Sequence, residues 1–166
     1  MISTGSTMEI LKSTRHSKIT GDLGECLTLY WLSKHNFECA RIDHTGIDIF
    51  AKHPKRNERL GISVKSRSRT AGKEEASILI ERKQFERAKK ACEAFDCVPY
   101  FSIFVDAADA FRLYLLPMSK LEDQLGTNKT VNWKMTAKSM DAYRADRAIA
   151  LLELRASEPS WGALAT

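Results

Sequence analysis

Two strand-sized apolar runs in this chain each carry one ionisable side chain. Asp48 interrupts Ile47-Asp48-Ile49-Phe50-Ala51, and Lys65 ends Leu60-Gly61-Ile62-Ser63-Val64-Lys65. Both runs alternate with the period of a strand, and Pro54, Asn57 and their charged neighbours make the intervening segment a loop. If the runs pair as a hairpin, Asp48 lies beside Ser63 or Lys65 on one face, with Ile62 and Val64 on the other. A carboxylate against an apolar layer is costly, so Asp48 must face solvent, a cation or a metal.

The remaining elements follow from periodicity and turn residues. Residues 1–16 read as a polar lead-in. A first helix is expected from Thr20, as cap, to His35, with Leu23, Leu27, Tyr30 and Trp31 as its apolar spacing. A strand from Phe37 to Ile42 and the turn Asp43–Gly46 lead into Ile47. Residues 66–75 are basic and polar and read as a mobile loop. After Ile78-Leu79-Ile80, a helix from Glu81 to Phe95 presents Phe85, Ala88, Cys92 and Phe95 to a core. Tyr100–Val105 and Phe111–Leu116 form a second hairpin, with Phe101, Phe104, Phe111 and Tyr114 as plain core. Ser119–Leu125 reads as a short helix and Val131–Met135 as an edge strand. Ala137–Arg155 reads as a final helix by propensity, with Thr136 as cap. The order α, β, β, β, α, β, β, α implies an α/β fold, a central mixed β-sheet flanked by helices. It forms one domain over 17–157, followed by a tail at 158–166 in which Trp161 packs back or serves self-association.

A chain of 166 residues with 43% hydrophobic content suits a single core without disulfides or a structural metal. Cys26, Cys39, Cys92 and Cys97 are too irregularly spaced for a zinc ribbon, and Cys26 and Cys92 fall in helical patterns as buried thiols. His16, His35, His44 and His53 share no ligand spacing. The apolar runs are too short to cross a membrane, and without an apolar secretory segment the expected compartment is the cytoplasm. Net charge is +5, and between Lys52 and Lys90 there are 13 Lys or Arg against 5 Glu. Such an excess draws phosphate backbones, although a solvated helix face would produce the same count.

Three residues stand out for chemistry. Asp48 at a strand can hold Mg²⁺, which prefers oxygen ligands. Lys65 can align or activate an attacking water and stabilise charge on a phosphate. Glu25 follows Gly21-Asp22-Leu23-Gly24, where small neighbours permit close approach to the sheet, so its carboxylate can reach the same cation.

The run Gly46-Ile47-Asp48-Ile49-Phe50, followed by Ile62-Ser63-Val64-Lys65-Ser66-Arg67, resembles the PD-(D/E)XK nuclease superfamily. Gly21-Asp22-Leu23-Gly24-Glu25 resembles the first-helix motif of its archaeal Holliday-junction-resolvase and Mrr-like restriction branches. The likeness covers roughly residues 17–116. It implies a restriction-endonuclease-like core and phosphodiester hydrolysis with Mg²⁺, or Mn²⁺ in its place. On that resemblance Asp48 is the central metal ligand, Lys65 the catalytic lysine and Glu25 an accessory carboxylate. It also admits a homodimer, since cutting both strands of a duplex needs two sites.

One position departs from the motif. Two residues before the lysine the superfamily carries Glu, Asp or Gln, and here stands Ser63, a neutral and weak Mg²⁺ ligand. Glu81, with Glu74 or Glu75 behind it, is a candidate for the missing oxygen. Alternatively Glu25 and Asp48 hold a metal with water filling the gap, or the fold serves as a noncatalytic nucleic-acid-binding module. Arg67, Arg69 and Lys73 follow Lys65 and would position a phosphate backbone, with Lys83, Lys89 and Lys90 extending the track. DNA is the expected partner. A protein-interaction or assembly domain is the remaining class, and predicts dispersed charge with an exposed apolar patch.

Overall fold

The computed structural model describes residues 12–70, 72–107 and 110–155. The first eleven residues of the lead-in and the whole tail with Trp161 lie outside them. Helix α1 (His16–Lys34) precedes strands β1 (Glu38–His44), β2 (Ile47–His53) and β3 (Glu58–Ser68). Next come β4 (Ile78–Glu81), α2 (Arg82–Phe95), β5 (Val98–Asp106) and β6 (Ala110–Pro117). The chain continues through α3 (Ser119–Leu125), β7 (Thr130–Trp133), α4 (Ala137–Ala145) and β8 (Ala150–Arg155).

The main sheet has the order β1-β2-β3-β5-β6-β8. The β3–β5 pair is parallel, running from Leu60↔Val98 to Ser68↔Asp106, and the other neighbours are antiparallel. A parallel pair needs a crossover, and the segment holding α2 supplies it. The mixed α/β architecture expected from the sequence is thus present. Strand alternation divides the core in two. Phe85, Ala88, Ala91 and Cys92 of α2 pack with Phe101, Ile103 and Val105 of β5. On the opposite face, Leu32 of α1 packs with Ile49, Ala51, Leu60 and Ile62. Among the described residues, no helix is long and apolar enough to cross a membrane.

Several expectations are corrected. Helix α1 starts four residues before Thr20, with Arg15 at its N-cap, and the Thr20 hydroxyl donates to His16 O at 2.8 Å. Its buried line is Thr20, Gly24, Thr28 and Leu32 rather than the larger apolar residues. Leu23 and Tyr30 are 39% and 58% exposed. The sheet surface beneath explains this choice. Thr28 Oγ1 bonds Ser102 Oγ at 2.8 Å, and a Cβ on Gly24 would stand 2.2 Å from Ser66 Oγ and 3.1 Å from Phe104 Cβ. Small residues let the helix descend onto a surface that larger side chains would hold off. Phe95 is also 41% exposed, and Cys26 is exposed, with only Cys92 of the two helical thiols buried.

Residues 66–68 belong to β3 instead of a mobile loop, and Arg69 N continues the pairing to Asp106 O at 2.7 Å. Strand β7 does not edge the main sheet, but pairs with β4 in a separate two-stranded sheet. The long final helix ends at Ala145. Asp146 takes the Lys120 ammonium at 2.7 Å and the Ala148 N–H at 2.9 Å, turning the chain. Residues 150–155 then pair with β6, placing Glu153 opposite Arg112, where Arg112 Nε meets its carboxylate at 3.0 Å. A free sheet edge and a nearly buried cation outweigh the helical propensity of Leu-Leu-Glu-Leu-Arg.

Because α1 depends on its small residues, Gly24→Val should cost about 2 kcal/mol or more by overpacking. Leu23→Ala should cost under about 1 kcal/mol, as for a largely exposed side chain. Urea unfolding of the two variants checks the order, and equal losses would contradict this packing.

Candidate active site

The β2–β3 ladder runs from His53↔Glu58 to Ile49↔Ile62. One step further, Asp48 comes opposite Ser63, and the Asp48 side chain takes over from the ladder: its Oδ2 accepts from Val64 N at 2.6 Å. Alternation also breaks here, since Ile49 packs on the α1 side while Ile47 packs on the α2 side. Gly46 permits the entry. It has φ +120°, and a Cβ there would stand 2.3 Å from Arg87 O of α2.

On β3, Ser63 is 3% exposed and its Oγ accepts from Lys65 Nζ at 2.9 Å. Burial pulls the Lys65 ammonium below its ordinary range, the Asp48 carboxylate opposes that shift, and Arg67 adds to it. The lysine is therefore better disposed than a surface lysine to give up or share a proton. Glu25 approaches from α1. Burial and then the Asp48 charge push its carboxyl above the ordinary value, against a lowering by Arg41. Arg41 Nε lies 3.5 Å from Glu25 Oε2, and its Nη2 reaches Asp22 O at 3.3 Å and Cys26 Sγ at 2.8 Å.

Asp48, Ser63, Lys65 and Glu25 thus share one electrostatic neighbourhood. Glu81 does not join it. It lies on the small sheet opposite Thr130, and its Oε2 pairs with Lys83 Nζ at 2.5 Å. Glu74 Oε1 accepts from Gly72 N at 3.0 Å, and Glu75 is exposed. Among the described residues no three His, Cys, Asp or Glu side chains gather as metal ligands. Mg²⁺ can nevertheless be bound by one or two carboxylates with water and substrate phosphate completing its shell. The pair Asp48 and Glu25 fits that role: after burial, the Asp48 charge is the next cause raising the Glu25 carboxyl, and a divalent cation between them would relieve that repulsion.

The basic residues divide. Arg67, Lys73 and Lys90 are exposed. Arg69 Nη2 instead bonds Ala76 O and Ser77 O at 2.9 and 3.0 Å, Lys83 pairs with Glu81, and Lys89 pairs with Glu122. Sequence reasoning missed Arg41. Its place opposite Ile49, beside Asp48 in the strand pairing, was the signal that could have found it.

Among solved structures, this chain is similar to Hjc of Archaeoglobus fulgidus, an archaeal hyperthermophile, described as a Holliday junction resolvase. The TM-score is 0.51 at 21% identity, over 74% of this chain and 88% of the other. The likeness establishes the fold class as restriction-endonuclease-like. No family model and no curated protein matches the sequence.

Asp48 acts with opposite effect on its two neighbours' charged forms, so Asp48→Asn should lower the titration midpoints of both Glu25 and Lys65. Removing the anion eases ionisation of Glu25 and weakens protonation of Lys65. Side-chain NMR titration of the metal-free protein measures both. A Glu25 midpoint unmoved by the substitution would show that the two carboxylates are not neighbours.

Proposed function

We propose that this protein is a metal-dependent endonuclease that hydrolyses phosphodiester bonds in DNA. The observation that carries the reading is the convergence of Asp48, Lys65 and Glu25 where the β2–β3 ladder opens. Asp48 and Glu25 would hold Mg²⁺, or Mn²⁺ in its place. The ion would supply charge neutralisation and polarise the phosphate. Lys65, anchored by Ser63, would orient the attacking water and accept its proton, while Arg67 beyond it would hold a phosphate oxygen. Ser63 would thus serve as a positioning residue for the amine, where a carboxylate would otherwise supply a metal ligand.

The resemblance of motif and fold to a resolvase makes branched DNA the first substrate class to try, with a homodimer presenting two sites to two strands. Four free thiols suit a reducing cytoplasm.

A labelled panel of linear, nicked, branched and single-stranded DNA, with RNA alongside, tests the reading in Mg²⁺ or Mn²⁺. Metal-dependent cutting should fall at least about 100-fold in Asp48→Asn and in Lys65→Ala. Salt-sensitive binding without any cutting would replace this reading with a noncatalytic nucleic-acid-binding module. Loss of both would favour a protein-interaction role.

A further inference from the structure

We propose that the cavity between the start of α1 and the end of β3 is a phosphate site that grips the DNA backbone beside the cleavage centre. The proposal rests on the reading of DNA as substrate. The cavity measures about 370 Å³, and its lining includes Lys12, His16, Ser17, Ser66, Arg67 and Ser68. Two permanent cations and a set of hydroxyls line it, and among the described residues none of the lining is acidic. An oxyanion would find both charge and hydrogen-bond donors there.

Three further observations converge on an anion. The first turn of α1 carries no acidic side chain of its own, and Arg15 at the N-cap supplies no side-chain hydrogen bond. Among the described residues the positive end of the 19-residue helix is therefore met only from β5, by Asp106 through His16. Independently, the Ser66 hydroxyl is shut off from solvent and has no partner among the described residues. A buried donor without an acceptor calls for one. Finally, Asp106 stands behind the lining and holds it in place. Its Oδ2 accepts from Ser68 Oγ at 2.5 Å and meets His16 Nε2 at 3.2 Å, with Lys12 Nζ 4.0 Å away. That carboxylate fixes Ser68 and His16 and balances part of the local charge.

Position selects nucleic acid over a small phosphate ester. Arg67 lies two residues beyond Lys65 on β3 and shares its face, whereas Ser66 and Ser68 turn toward α1, so among the β3 residues of the cavity Arg67 is the one directed to the cleavage centre. The Lys65 and Arg67 Cα atoms are about 7 Å apart, a separation suited to successive phosphates of one strand. A phosphate held here would set the register of its neighbour at Lys65.

The test is DNA binding by fluorescence anisotropy with the full chain in metal-free buffer, where no cleavage intervenes. Ser17→Glu is the decisive variant. An acidic residue in the first turn should stabilise α1, raising the unfolding midpoint, while repelling a phosphate from the cavity. DNA affinity should fall at least about tenfold while stability holds or rises, and Arg67→Ala should reduce the slope of log K against log salt by about one. Lys55→Ala, in the β2–β3 turn at the far end of the hairpin, should change affinity by less than about twofold. Wild-type affinity in both Ser17→Glu and Arg67→Ala, losses matched by Lys55→Ala, or no binding by the wild type would each overturn the site. Cleavage reports separately. Cutting with an unaffected Ser17→Glu removes this cavity and keeps the endonuclease. The predicted binding losses without wild-type cutting keep the cavity and remove the endonuclease.

Discussion

The hydrogen bond from Val64 N to the Asp48 carboxylate is the constraint around which the sheet is arranged. Bringing an aspartate into an apolar strand would normally cost several kcal/mol, and leaving a buried amide unpaired about 1–3 kcal/mol more. The structure settles both at once. Where β2 and β3 part, the carboxylate becomes the acceptor for the freed amide. A hydrogen bond to a charged group contributes about 1.5–3 kcal/mol, enough to hold the carboxylate in place while its second oxygen remains for a cation. Gly46 on one side and the Ser63–Lys65 contact on the other make the parting tolerable.

The helix α1 completes the site by proximity. Its Thr20-Gly24-Thr28-Leu32 line allows a close approach to β3 and β5, and the next residue after Gly24 is Glu25. A helix seated on leucines would stand further off, and Glu25 would lose its coupling to Asp48. The same descent shuts Ser66 away from solvent beneath the helix, so one packing decision shapes both the proposed metal site and the proposed phosphate cavity.

Much of this was legible in the sequence because it is local. The hairpin around Asp48, helix α2 and the β5–β6 hairpin each announce themselves by periodicity, and Asp48, Ser63 and Lys65 fall together once that hairpin is drawn. The seating of α1 was not legible, since the polar sheet surface that selects small residues comes from Ser66 and Ser102, far along the chain. Strand β8 was hidden by good helical propensity and revealed only by its pairing with Arg112 and the β6 edge. Glu81 lay near Lys65 in plausible order, yet the crossover carries it to the small sheet. The cavity joins Lys12 and His16 to Ser68 across more than 50 residues, beyond any local pattern.

The proposed nuclease site requires Asp48 and Glu25 together to bind a divalent cation without a third carboxylate. Anomalous diffraction from crystals soaked in Mn²⁺ tests it most directly. One peak is expected within coordinating distance of both carboxylates, absent from Asp48→Asn crystals. Manganese at Glu81 or Glu74 with none at Asp48, or no bound ion at all, would contradict it.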